Sequence, residues 1–264
     1  MTGTDERAVS SVISFVFAFS FIILSVGLVY SVGFGALTEF QNDQQVAGAT
    51  VTMESLGNSF EEIQRGGGPV RTSEIRLADG SIALTGGAVM NVTVSDGGGN
   101  TLAVTNSTDD PEKKTPTFVT RALSYRYDDT SVSYEGGAVF NRQDNGGTSV
   151  LRAPPIRCSS DVAIISVVSL ELSGGVKSVD SRNTVSVEAI RRSQRLVYPA
   201  PNNTASDAAS VTIDLTSSPN MEGWESYLDE RAADNSNLIS TASGYRCDTN
   251  RVIVRHTVVR VFFI

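Results

Sequence analysis

The sequence is poor in the residues that most often carry chemistry. It has one histidine, His256, one tryptophan, and two cysteines, Cys158 and Cys247. The histidine sits alone inside an alternating strand pattern, and no Cys/His group has zinc-ligand spacing. No glycine-rich loop runs into a Lys-Ser/Thr pair, and Gly97-Gly98-Gly99 lies in a β-turn context rather than ahead of a helix. The acidic pairs Asp109-Asp110 and Asp128-Asp129 lack the spacing of a calcium loop. No catalytic residue, metal or cofactor is therefore expected, and the chain does not read as an enzyme. Lysine is scarce: only Lys113, Lys114 and Lys177. With 29 acidic against 21 basic residues the net charge is -8, which argues against a nucleic-acid partner.

A charged residue is also missing from one long stretch. Ala8 to Leu37 are thirty consecutive residues without one. About 20 apolar residues span a bilayer core as a helix, and in lipid a lone segment must be helical to satisfy its own backbone. A secretory signal core is only about 7–15 residues long, so a retained transmembrane helix over 9–37 is expected. Ser10, Ser14 and Ala18, and then Gly27, Ser31 and Gly35, recur every four positions. Such small-residue ridges let helices approach closely in membranes, although small residues are also common in any membrane helix. Arg7 precedes the run, and no Lys or Arg follows until Arg65. That bias places the N-terminus in the cytoplasm and the C-terminal domain outside the cell.

Helical spacing continues past the apolar run. Val46, Ala49, Met53, Leu56, Phe60 and Ile63 recur at alternating steps of three and four, a one-faced seam over 38–65. Gly66-Gly67-Gly68-Pro69 ends it.

The remaining 66–264 reads as a β-rich domain. Ser73 to Thr85 predicts a hairpin around Asp79-Gly80. Single strands are expected over Ala88–Ser95, Thr117–Tyr127, Ser131–Phe140, Thr184–Tyr198, Val211–Leu215 and Arg251–Phe263. Asp161–Leu172 is the most apolar of the runs and predicts a central strand. Ser218-Pro219 predicts a helix over 219–233, with Ser218 as its N-cap and an apolar stripe of Trp224, Tyr227 and Leu228. Ala153-Pro154-Pro155 suggests a subdomain boundary near 153–158. The fold class is thus α+β: a long N-terminal helix and a mainly antiparallel β domain. If that domain is exported, Cys158 and Cys247 can pair as a disulfide; otherwise they are two buried thiols. Export would also make Asn91, Asn106 and Asn202 glycosylation acceptors. Asn106 and Asn202 fall in polar loops, where a glycan fits best.

The stretch Asp5-Glu6-Arg7-Ala8-Val9-Ser10-Ser11-Val12-Ile13 resembles the N-terminus of archaeal type IV pilin-like proteins, and the acidic, lysine-poor composition resembles proteins of salt-loving archaea. In that family a short charged leader runs directly into the apolar helix, and a prepilin peptidase cuts at the junction. Carried over, residues 1–8 form the leader, Arg7 and Ala8 are its last two positions, and Val9 becomes the new N-terminus. The commoner haloarchaeal pattern has proline and glycine where this chain has Ser11 and Ser14. A strand followed by a Ser-Pro, Trp-containing helix is also similar to haloarchaeal pilin-like ectodomains. The resemblance implies a minor pilin or pseudopilin at the cell surface, with the membrane, the prepilin peptidase and other pilin-like subunits as partners. The alternative is a monomeric membrane-anchored extracellular binding domain that forms no filament.

Overall fold

A computed structural model describes residues 5–102, 115–199, 208–242 and 244–264, with side chains described outside 5–12, 34–36, 38–39 and 42. The chain forms two compact units, Met1–Ala47 and Gly48–Ile264. An N-terminal apolar helix is followed by a mostly antiparallel β-rich domain with few helices, an α+β arrangement.

Helix α1 runs without interruption over Asp5–Arg65 and so belongs to both units. It stops where the glycines begin. Gly66 takes the left-handed conformation (φ 93°), its N–H reaches Ile63 O, and the Gly67 N–H donates to Glu62 O at 2.8 Å. That is a Schellman closure, and it favours glycine at the first position after the helix.

Among the described residues, fourteen strands and one more helix follow. In order they are β1 (Val70–Arg76), β2 (Ser81–Asp96), β3 (Thr117–Tyr127), β4 (Thr130–Glu135), β5 (Ala138–Gln143), β6 (Thr148–Arg152), β7 (Ile156–Arg157), β8 (Ala163–Leu172), β9 (Ser178–Asp180), β10 (Thr184–Tyr198), β11 (Ala208–Thr216), α2 (Met221–Asp234), β12 (Leu238–Thr241), β13 (Gly244–Asp248) and β14 (Val252–Phe263). A five-stranded sheet has the order β1-β10-β14-β8-β7, and its β14–β8 pair is parallel. A nine-stranded sheet has the order β12-β13-β11-β2-β3-β4-β5-β6, with β9 added on β2.

Several sequence expectations need correction. Asp79-Gly80 does make a turn, with Gly80 N–H donating to Leu77 O at 2.7 Å. The flanking strands do not pair, however: β1 joins β10 in one sheet and β2 joins β3 and β11 in the other. The turn is a corner between sheets. It is held by Leu77, fully buried, whose carbonyl accepts from Tyr125 Oη at 2.8 Å. The hairpin lies instead at Gly136-Gly137, inside the stretch expected to be one strand. Both glycines have positive φ (61° and 104°), and β4 and β5 pair across them. Residues 81–96 form one strand with a bulge rather than two, the register against β3 slipping between Gly86 and Val89. A Cβ on Gly87 would lie 2.7 Å from Thr120 O, so the bulge needs glycine there. Helix α2 begins at Met221 with Asn220 as N-cap, not at Pro219 with Ser218.

Residues 153–158 lie inside the second compact unit. Two clusters of buried side chains share the same strands. Strand β8 gives Ala163, Ile165 and Val167 to one and Val168 and Leu170 to the other; β14 gives Val252 and Val254, then Val259 and Val261. Side chains of odd and even number point to opposite faces, so β8 is apolar on both. This explains why its sequence is largely apolar, broken only by Ser166, Ser169 and Glu171, although its neighbour on one side is only the two-residue β7.

Candidate functional site

The two halves of α1 have opposite environments. Over Ile13–Gly33 the helix is long and apolar enough to cross a membrane, with mean hydropathy 2.4 and none of it buried within the protein. Phe15, Phe17, Phe21, Leu24, Val29 and Tyr30 are all about 70% exposed. This is compatible with a single-pass membrane anchor or a signal. The junction residues Arg7, Ala8 and Val9 lie on the helical backbone, and their side chains fall outside the described set.

In the second unit the helix is buried along its seam. Met53, Phe60 and Ile63 are fully buried, and Ala49 and Leu56 nearly so. Val46, in the first unit, is partly exposed. The seam joins Tyr125, Val132, Tyr134 and Val139 of the nine-stranded sheet and Val187, Val259 and Val261 of the five-stranded sheet in one cluster. The Phe60 and Tyr134 rings meet edge to face at 4.5 Å. On β5 the adjacent Val139 and Phe140 point to opposite faces. Val139 faces α1 near Gly57, and Phe140 packs on Trp224 of α2 with ring centroids 5.3 Å apart.

Polar clamps reinforce the seam, and no sequence periodicity marks them. Arg152 of β6 donates to Asn58 and Glu61. Arg71 of β1 pairs with Glu62 at 2.9 Å. Two side chains of β10 take up carbonyls of the last helical turn: Arg191 Nη1 donates to Ile63 O at 3.2 Å, and Gln194 Nε2 donates to Gln64 O. The last four carbonyls of a helix lack partners within it; Gln194 supplies one to Gln64 O, and Arg191 adds a second donor at Ile63 O, which the Gly66 N–H already reaches.

Cys158 and Cys247 form a disulfide with Cα atoms 5.8 Å apart. It ties the segment between β7 and β8 to β13, and hence one sheet to the other. Asn91 lies mid-strand in β2, between β3 and β11, where its Oδ1 accepts from Thr117 Oγ1 at 2.7 Å. That position suits an acceptor poorly. Asn106 and Asn202 lie outside the described residues.

One buried carboxylate was not singled out by any motif. Glu135 is fully buried, and its oxygens accept from the Ala88 N–H, from Ser218 Oγ at 2.9 and 3.0 Å, and from Asn220 Nδ2 at 2.6 Å. The Trp224 indole N–H faces the same group without closing a hydrogen bond of good geometry. Burial raises the Glu135 pKa, and the hydrogen bonds oppose it. Ser218 is therefore a ligand of Glu135, and it also accepts from the Asn220 N–H at 2.9 Å. The network joins β2, β4 and the entry to α2, which gives it a structural role.

His256 lies where the sheets meet. Its ring is 4.8 Å from that of Phe118, and its Nε2 is 2.9 Å from Ser169 Oγ. Burial, and secondly the charge of Arg195 opposite it on β10, lower its pKa to about 4. The unfolded chain, with a value of about 6.5, takes up this proton first as pH falls. His256 therefore supports the fold above pH ~6.5 and withdraws that support through pH ~4, by up to about 3 kcal/mol. His256→Gln is expected to remove this part of the acid sensitivity, read as a smaller drop in Tm between those pH values. Equal pH slopes for the two proteins would show that His256 titrates normally.

No curated protein and no solved structure matches the chain. With a match over residues 7–262, nearly its whole length, the chain belongs to a family of unknown function, DUF7289.

Proposed function

We propose that this protein is a type IV pilin-like surface protein, a minor pilin or pseudopilin, held in the cell membrane by the first half of α1. Its role is structural: the β-rich unit stands outside the cell, and the exposed apolar helix serves for insertion and for contact with other pilin-like subunits. The observation that carries this reading is the division of labour along one unbroken helix. Its Ile13–Gly33 stretch is wholly exposed and apolar, whereas Ala49–Ile63 is docked in the β core. A simple anchor has no need of the second feature. The disulfide supports an oxidising, extracytoplasmic setting for the β unit. The absence of Lys and Arg between Arg7 and Arg65 supports the same orientation.

The resemblance of Asp5-Glu6-Arg7-Ala8 and the following apolar run to pilin-like leaders supports a prepilin-peptidase cut between Ala8 and Val9. N-terminal sequencing of the protein from native membranes is expected to begin at Val9. A membrane-inserted protein that keeps residues 1–8 in cells with an active prepilin peptidase would overturn the pilin reading and leave a monomeric anchored domain.

A further inference from the structure

A trough of about 610 Å³ opens on one face of the nine-stranded sheet. Its floor is a straight row across four strands: Ser81 of β2 lies opposite Arg126 of β3, Arg126 opposite Ser131 of β4, and Ser131 opposite Arg142 of β5. The next row adds Ala83 and Ser124, and the Ser217–Pro219 segment lines the trough as well. The alternate residues Ile82, Tyr125 and Val132 point to the other face and into the core. Small side chains on the open face leave the space. Glu135, further along the same face, is buried and already satisfied by Ser218 and Asn220.

Two features indicate what belongs there. Arg126 and Arg142 share one counter-ion, Asp144, in a chain of net charge -8. Arg142 is also under-used. Its contact with Asp144 is long, at 3.7 Å, and its Nη1 reaches Pro219 O only at 3.4 Å. Its Nε is buried without any acceptor. A buried guanidinium N–H without a partner is costly, and an Arg fork suits a carboxylate in bidentate geometry. The rest of the lining is mostly hydroxyl groups, with no aromatic or large apolar side chain. Those hydroxyls can meet the hydroxyls of a sugar and the carbon surface between them its ring faces, and the volume lies within the usual range for small-molecule sites, far beyond what an inorganic oxyanion needs.

We propose that this trough binds a carboxylate-bearing sugar, a uronic acid unit of an acidic saccharide. Arg142 and Arg126 hold the carboxylate, and the serines of the sheet floor meet the ring hydroxyls. This holds whether or not α1 assembles with other subunits. The test is calorimetric titration of the full chain in detergent, at low ionic strength, with trigalacturonate, with its fully methyl-esterified form, and with sodium sulfate. The acid trimer is expected to bind, and the ester to bind at least ~tenfold more weakly, the usual loss when a charge-assisted hydrogen bond is removed. Sulfate is expected not to compete. Arg142→Gln should weaken the acid trimer by a similar factor. Ala83→Leu, which raises the floor and leaves both arginines in place, should weaken it too, and decides the matter if the arginine variant fails to fold. The proposal is overturned if the acid trimer does not bind, if the ester binds equally, or if Ala83→Leu binds as wild type does. Competition by sulfate at equal affinity would reduce the trough to a general anion site and overturn the sugar assignment.

Discussion

Replacing Phe60 by aspartate is expected to destabilise the β-rich unit by several kcal/mol, the largest effect of any single change considered. The ring is fully buried and meets Tyr134 edge to face. Truncating a buried phenylalanine costs roughly 3–5 kcal/mol from lost burial and cavity formation. Aspartate adds the cost of placing a charge inside the apolar cluster that Phe60 joins. Most of a domain's net stability of about 5–15 kcal/mol would be at risk. The measurement is the thermal or denaturant midpoint of the β unit in the full chain, followed by near-ultraviolet circular dichroism of its buried aromatics. Phe17→Asp is the control. Position 17 is exposed within the apolar stretch, so its change should leave that midpoint alone and act on membrane insertion. If Phe60→Asp leaves the midpoint unchanged and alters only self-association, the second half of α1 is a stalk between chains and not part of the domain core.

Loss of the Cys158–Cys247 bridge ranks next. The bond closes a loop with a sequence separation of 89, for which loop-closure entropy predicts about 4–5 kcal/mol. Cys247 is buried in β13, and Cys158 lies just after the two-residue β7, a strand too short to hold the edge of its sheet alone. The double change Cys158→Ala with Cys247→Ala, or reduction under native conditions, should lower the midpoint by an amount of that order. The edge around β7 and β12 should open first in hydrogen exchange, because both elements are short and flank the bridge. An unchanged midpoint in the double variant would mean that the sheets are held together without it.

The two helices and many strands were legible in the sequence because they repeat. The seam from Ala49 to Ile63 lies on one side of a 3.6-residue period, and each of its members is buried. Thr184–Tyr198 is β10 at those limits, and it alternates over its first half, where Val185, Val187 and Ala189 are buried. The apolar run needed no partner to be read, since length and lack of charge alone decide what can cross a bilayer. Helix α1 stops at Arg65 because the following glycines favour a left-handed closure, which is a local property of the backbone.

Pairing was another matter. Asp79-Gly80 and Gly136-Gly137 are both turns, yet one joins strands of different sheets and the other makes a hairpin. Local φ preferences allow both outcomes. The choice falls to what each flanking strand can bury: β1 finds β10, with Arg76 opposite Thr184, and β2 finds β3, with Ser81 opposite Arg126 and Asn91 opposite Thr117. The carboxylate of Glu135, the clamps from Arg152 and Arg191, and the row Ser81, Arg126, Ser131 and Arg142 were likewise invisible. Each depends on strand register, and a slip of one residue would turn every one of those side chains to the opposite face. Sequence by itself determined which segments of this protein are helical or extended, and which can enter a membrane, because those properties are set by short-range periodicity and by transfer from water. Only the tertiary structure decided which strands are neighbours and which polar groups share a face, because that is settled by packing between residues far apart in the chain.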